Sequence, residues 1–185
     1  MPTAAGARLS VDDWIEAGYA VLAEEGIKAL KIDRLCSRLG VTKGSFYWHF
    51  SDIKAYRTAL VEAWGRSRDE DRRHFDADTD TPPRERLSAM MSSLVSDRHW
   101  TLERAMREWA RTDPAVAASV REGDRRVVDA VRAAFIDYGF EPEEADLRAN
   151  ATFAAGIGFL HLSGEKPSAR AVAGRERFLD LMLAR

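Results

Sequence analysis

The chain lacks the features of secreted and membrane proteins. It has one cysteine, Cys36, which cannot form an internal disulfide, and this favours a reducing compartment. Its first residues, MPTAAGARLS, contain no apolar secretory segment, and its longest nearly apolar run, ATFAAGIGFLHL, is shorter than the roughly 18 residues that cross a bilayer. We therefore expect a cytoplasmic protein without a membrane span.

The sequence also lacks the common signatures of catalysis and metal binding. It has no glycine loop for a phosphate, no HExxH zinc spacing and no GxSxG motif, and its histidines are scattered without a metal-ligand spacing. The segment DADTD begins like a calcium loop, but Thr81 and Leu87 stand where glycine and glutamate are required. We predict no enzymatic activity, no cofactor and no metal.

What the sequence does contain is helical periodicity along most of its 185 residues. Apolar residues recur at spacings of three and four, and we find no convincing run of alternating strand residues. Ser10 followed by Asp13 predicts a capping box at the first helix, and glycines such as Gly26 and Gly139 predict helix ends. The pattern predicts an all-α protein of about nine helices.

Two modules are expected from the distribution of these helices. Residues 1–9 are predicted to be a flexible tail, and residues 10–55 a module of short helices followed by a connecting helix to about residue 73. The acidic, proline-containing segment 74–83 predicts a loop, and residues 84–185 a second helical domain.

The segment GVTKGSFYWHF, residues 40–50, predicts a helix-turn-helix. Gly40 permits the turn, and Phe46 and Phe50 are expected to face inward. Four rings within five positions cannot all point inward from one helix, so plain core packing does not explain them. Residues 34–51, the basic segment, contain Arg34, Arg38 and Lys43 but no acid, although the net charge of the whole chain is -2. A helix with exposed rings and donors in a basic segment suits contacts with base edges and phosphates.

From AVLAEEGIKALKIDRLCSRLGVTKGSFYWHF onward, the sequence resembles the tetracycline-repressor (TetR/AcrR) family of bacterial transcription regulators. The resemblance implies an N-terminal helix-turn-helix and a C-terminal ligand-binding and dimerisation domain. It also implies contacts to bases by Lys43, Gly44 and Tyr47 and contacts to phosphate by Ser45, Trp48 and His49. The full expected set of DNA-binding residues is Lys31, Thr42, Lys43, Gly44, Ser45, Tyr47, Trp48, His49 and Lys54.

The sequence departs from the family pattern at several of these positions. Lys31 replaces the usual Ser or Thr cap, and Cys36 replaces a usual alanine. Asp33 stands where relatives can carry a base-reading cation, so we carry no DNA contact over to it. Ile53 stands where a lysine commonly opens the fourth helix, with Lys54 one residue later.

In the C-terminal domain the resemblance implies an effector pocket and a dimer interface, each with core packing within the chain as its alternative. We expect the pocket to involve Met90, Met91, Met106, Trp109 and Phe153, with Arg107 and Glu108 facing solvent. We expect the interface to be a four-helix arrangement that includes Ala151, Ala155, Gly158, Phe178, Leu179 and Met182.

The resemblance implies a ligand-relieved repressor that binds a palindromic operator as a homodimer. Its partners would be double-stranded DNA, a second copy of itself and a small apolar or aromatic effector. The alternative is a helical protein-interaction adaptor that does not bind an operator, and Lys43 and Tyr47 argue against it.

Overall fold

The computed structural model describes residues 9–77, 80–94, 97–162 and 169–184. The described residues form nine α-helices, one short 3-10 helix (Ile27–Ala29) and no strand, which confirms the all-α prediction. The helices are α1 (Val11–Glu25), α2 (Ile32–Leu39), α3 (Lys43–His49), α4 (Ile53–Ala77), α5 (Pro83–Leu94), α6 (Asp97–Ala110), α7 (Pro114–Tyr138), α8 (Pro142–Leu162) and α9 (Ala169–Leu183).

The chain divides into an N-terminal unit, Met1–Trp64, and a C-terminal unit, Gly65–Arg185. The boundary lies inside α4 and not in the predicted loop 74–83. The first part of that predicted loop is helical, because α4 continues to Ala77, and α5 begins at Pro83. Proline suits a first helical turn, whose amide groups have no intrahelical acceptor, so Pro83 starts a helix here instead of ending a loop.

The N-terminal unit is organised around two aromatic side chains that are completely buried, Trp14 of α1 and Phe46 of α3. Their rings meet edge to face with centroids 5.4 Å apart. Tyr56 of α4 donates its hydroxyl proton to the Trp14 carbonyl at 2.8 Å. A Cβ atom at Gly18 would lie 1.9 Å from the Tyr56 Oη, so only glycine permits this approach of α1 and α4. These contacts fix the position of α3.

The core of the C-terminal unit joins α5, α7, α8 and α9. Phe135, Ala145 and Leu179 are among its buried residues. The longest helix of this core, α7, begins with Asp113 capping two backbone amides and Pro114 in the first turn, and it ends as predicted at Gly139, with φ 108°. Leu179 was expected in the dimer interface, but it is fully buried in its own chain, because α9 packs against this core.

The C-terminal unit also contains a buried ion cluster, which we define as Arg68, Glu103, Arg107 and Asp124. Glu103 accepts from Arg68 at 2.5 Å, and Arg107 approaches Glu103 at 2.7 Å and Asp124 at 2.6 Å. The prediction that Arg107 faces solvent is wrong, because the carboxylates of α6 and α7 hold its guanidinium inside the unit. Glu108 is exposed, as expected.

No helix in the described part of the chain is long and apolar enough to cross a membrane.

Candidate DNA-binding surface

The turn between α2 and α3 is built by Gly40. Gly40 adopts the left-handed conformation (φ 68°, ψ 33°), which a glycine adopts without strain. The backbone amides of Gly40 and Val41 then donate to the last carbonyls of α2, at Ser37 and Cys36. Thr42 is extended and precedes the first turn of α3. The sequence GVT therefore sets the direction in which α3 leaves α2.

The aromatic side chains of α3 are divided between its two faces. Phe46 is completely buried, and Phe50, just after the helix, is buried beside it. Tyr47 is 56% exposed and Trp48 is 70% exposed. The Tyr47 ring meets the Phe46 ring edge to face at 5.5 Å, so the exposed ring rests on a fixed one. The outer face of α3 thus presents large rings in defined positions.

The structure brings most of the expected DNA-binding residues to the surface of the N-terminal unit. Ser45 and His49 are half-buried, and the His49 ring lies 6.4 Å from the Trp14 ring. The exposed members of the set are Lys31, Thr42, Lys43, Gly44, Tyr47, Trp48 and Lys54. Lys31 precedes α2, and Lys54 lies in the first turn of α4.

The basic segment is not an uncompensated positive surface in the folded protein. Arg34 donates to both carboxylate oxygens of Glu25, at 2.8 and 3.0 Å. Arg38 makes a two-bonded pair with Glu24, at 2.6 and 2.7 Å. These hydrogen bonds from arginine hold the pKa of each glutamate below its usual value. The sequence analysis missed both acids because they lie outside the segment, near the end of α1.

The third cation of the segment is also paired, but with an acid on α2. Lys43 Nζ lies 2.6 Å from Asp33 Oδ1, and the two side chains are 61% and 75% exposed. The hydrogen bond that the Lys43 ammonium donates to Asp33 raises the pKa of that ammonium above its usual value. Asp33, to which the sequence analysis assigned no DNA contact, therefore lies beside the first residue of α3.

Cys36 is buried in this unit. Burial is the main cause that raises the pKa of its thiol, so little reactive thiolate forms. A packing role therefore explains this residue.

Residues 15–55 match the family model for bacterial regulatory proteins of the tetR family. The N-terminal module is therefore similar in sequence to regulators of the tetR family. The match covers α2, α3 and the intervening turn, so the surface described above lies within the matched residues. No curated protein matches the chain in sequence.

Solved structures extend the likeness to the TetR-like fold of the whole chain. A transcriptional regulator from Rhodococcus sp. Rha1 has a TM-score of 0.77 at 22% identity, over 95% of this chain and 94% of that one. A TetR transcriptional regulator from Legionella pneumophila has a TM-score of 0.80 at 10% identity, over 97% and 100% of the two chains. The reduced form of E. coli NemR gives 0.67 at 14% identity, over 94% and 97%. At these identities the likeness shows a common fold.

The residues expected to line a pocket in this TetR-like fold are mostly internal. Met106 and Trp109 of α6 are buried. Met90 and Met91 of α5 are partly buried against the core of the C-terminal unit, and Phe153 of α8 is half-buried. Their assignment to a pocket stays a prediction.

The expected dimer residues differ among themselves in burial. Ala151 is exposed, whereas Ala155, Gly158, Phe178 and Met182 are half-buried. The structure also exposes four large apolar side chains that the sequence analysis missed: Leu147, Phe159 and Leu162 of α8 and Leu181 of α9.

Proposed function

We propose that the chain is a cytoplasmic transcriptional repressor that binds a palindromic operator as a homodimer and releases it when a small apolar or aromatic effector binds. The observation that carries this proposal is the division of α3 into a buried face and an exposed face. Phe46 anchors the helix, while Lys43, Gly44, Tyr47 and Trp48 are exposed on its other sides. A helix presented in this way can enter the major groove with its first residues against base edges.

Dimerisation is supported by the exposed apolar residues of α8 and α9. Leu162 is 87% exposed, and Leu147 and Leu181 are each 64% exposed. Exposure of several large apolar side chains to water is typical of a protein–protein interface. On α8, a Cβ atom at Gly158 would meet nothing within 4 Å. The chain itself therefore leaves room at Gly158 for a helix of a second copy. A two-fold dimer carries two equivalent copies of α3, and this is why we propose a palindromic operator.

Effector control is proposed to act through α4, which begins in the N-terminal unit and ends in the C-terminal unit. A ligand releases DNA only if it binds the non-binding conformation more tightly than the binding one. Met106 and Trp109 are our candidates for the pocket wall, because a flexible thioether and a flat indole suit an apolar or aromatic ligand.

The test is binding of the purified full chain to the DNA upstream of its own gene, compared with random DNA of equal length. Fluorescence anisotropy should show tighter binding to the upstream DNA, and the affinity should fall as salt rises because phosphate contacts release counterions. Lys43→Ala should reduce the preference for the upstream DNA, whereas Lys28→Ala, which removes an exposed lysine outside α3, should preserve it. Equal binding to both DNAs by the wild type would favour the adaptor instead.

The effector is tested separately by a thermal-shift screen of hydrophobic small molecules. A compound that stabilises the protein should also weaken its binding to the operator, and Trp109→Ala should abolish both effects. Stabilising compounds without any effect on DNA binding would show a ligand site that does not control the repressor.

A further inference from the structure

The Lys43–Asp33 pair has a position that folding does not explain. Both side chains are mostly exposed, with Nζ and Oδ1 2.6 Å apart. An exposed ion pair of this kind contributes little to the stability of a fold, because water solvates both charges when they separate. Its location at the start of α3 is therefore better understood from what α3 contacts.

The pair lies where a recognition helix approaches base edges. Lys43 is the first residue of α3, and the N-terminal residues of recognition helices are those that reach the bases. An acid in hydrogen-bond contact with the Lys43 ammonium must then lie within a few ångströms of the same base edge. The acids that pair with Arg34 and Arg38 differ in this respect, since Glu24 and Glu25 belong to the end of α1.

A carboxylate at this position selects strongly among its possible neighbours on DNA. It is repelled by phosphates and by the acceptor atoms of guanine and thymine, and in the major groove it can accept a hydrogen bond from the N4 amino group of cytosine or the N6 amino group of adenine. The Lys43 ammonium has three N–H donors and uses one of them on Asp33, which leaves two for guanine O6 and N7. The major-groove edge of a single G·C pair presents these acceptors and that amino group side by side.

We propose that Asp33 and Lys43 act as one unit that recognises a G·C base pair in each half of the operator. Lys43 donates to guanine, and Asp33 accepts from the cytosine paired with it, so that Asp33 is a specificity-determining residue. The negative charge of Asp33 also weakens binding to DNA sites that present no base amino group to its carboxylate. This inference rests on the proposed function as a DNA-binding regulator.

The experiment is selection of bound sequences from randomised duplex DNA, with the full-length wild type and the variants Asp33→Ala, Lys43→Met and the double variant. The wild type should recover one position per half-site that is a G·C pair. Asp33→Ala and Lys43→Met should both reduce the preference at that same position, each by at least about fivefold. The double variant should lose little more than either single variant, because the two side chains serve one contact.

Glu24→Ala is the matched control. It also removes one exposed carboxylate from the N-terminal unit and frees one cation, Arg38, but away from the first turn of α3. It should leave the selected sequence unchanged. Asp33→Ala should in addition tighten binding to random DNA and steepen the salt dependence by about one phosphate contact per subunit, because Lys43 becomes free to contact a phosphate. Circular dichroism melting checks that each variant is folded.

Two results would overturn the inference while leaving the proposed function intact. One is an Asp33→Ala variant that selects the wild-type sequence, with a gain in affinity for all DNA equal to that of Glu24→Ala. The other is loss of preference at two different positions in the two single variants. If the wild type selects no sequence at all, the proposed function itself fails and this inference fails with it.

Discussion

The ion pairs of the basic segment in the N-terminal unit and those of the buried ion cluster in the C-terminal unit differ in their access to water. In the N-terminal unit the three cations of the basic segment are paired at the surface, as in Lys43–Asp33 with side chains 61% and 75% exposed. In the C-terminal unit Arg68 pairs with Glu103 while their side chains are only 16% and 7% exposed. The chemical groups are the same, and only the access of water differs.

This difference determines what each set of pairs can do. An exposed pair can separate at little cost, so its charges remain available to phosphates and base edges. A buried charge that loses its partner is left without water and without compensation, so the buried ion cluster can only hold helices together. Binding specificity is therefore expected from the exposed pairs and stability from the buried ones.

The largest effect should come from breaking the buried ion cluster with Glu103→Ala. The change leaves the guanidinium groups of Arg68 and Arg107 inside the C-terminal unit without one of their carboxylates. We expect the free energy of unfolding to fall by about 3–5 kcal/mol, as is typical when one partner of a buried pair is removed. Urea unfolding followed by circular dichroism measures this loss.

Glu24→Gln provides the comparison in the N-terminal unit. It removes the carboxylate of an exposed, two-bonded arginine pair. The urea midpoint should hardly move, because Arg38 remains solvated. Similar losses in Glu24→Gln and Glu103→Ala would contradict the distinction between the exposed pairs and the buried ion cluster.

The next effect concerns the surface of the C-terminal unit, where Gly158→Leu should weaken dimerisation. A side chain at Gly158 meets nothing of its own chain within 4 Å, and leucine favours helix more than glycine does. The fold should therefore be kept, while overpacking against a second copy costs about 1–3 kcal/mol. Light scattering should show the wild type at twice 20.7 kDa and the variant shifted toward the monomer.

Ala133→Leu is the control for Gly158→Leu, because Ala133 is an exposed small residue on α7. It should leave the dimer intact. A wild type that is monomeric at micromolar concentration would refute the homodimer and, with it, the argument for a palindromic operator.

A smaller effect is expected from Tyr47→Ala, which changes the outer face of α3. The ring is 56% exposed, so its removal should alter the urea midpoint very little. We expect the preference for the operator over random DNA to fall about tenfold, within the usual range for one base contact. Anisotropy titrations at fixed salt measure this ratio. Loss of folding in Tyr47→Ala would show instead that the ring belongs to the core.

The sequence predicts those features of the structure that depend only on residues close together in the chain. The capping box of Ser10 and Asp13 forms as predicted, because both residues lie in one helical turn. The αL conformation of Gly40 follows from a glycine at a helix end. The division of Phe46 from Tyr47 and Trp48 follows from helical geometry, since neighbouring positions point in different directions.

The rest depends on how helices pack, and a single sequence does not give this. The acids that neutralise the basic segment lie on α1, and they meet Arg34 and Arg38 only because α1 packs beside α2. In the same way, the burial of Leu179 depends on which helix α9 meets. Arg107 has a helical position like that of many solvated arginines, and its burial depends on the approach of α7, which brings Asp124 to its guanidinium.

The smallest effect is a dependence of stability on acid pH, to which Glu122 on the surface of the C-terminal unit should contribute most clearly. Hydrogen bonds from Arg125 and Arg126 lower the pKa of Glu122 from 4.5 to about 2. Between these values the unfolded chain binds more protons than the folded one, so the stabilisation is complete above about pH 4.5 and is lost as the pH falls toward 2. Glu122→Gln should therefore lower the urea midpoint at pH 6 slightly and reduce its fall between pH 4.5 and 2.5. Because the group is exposed, about 1 M salt should shrink the difference from the wild type. A difference that persists in high salt would place Glu122 with the buried ion cluster and not with the exposed pairs.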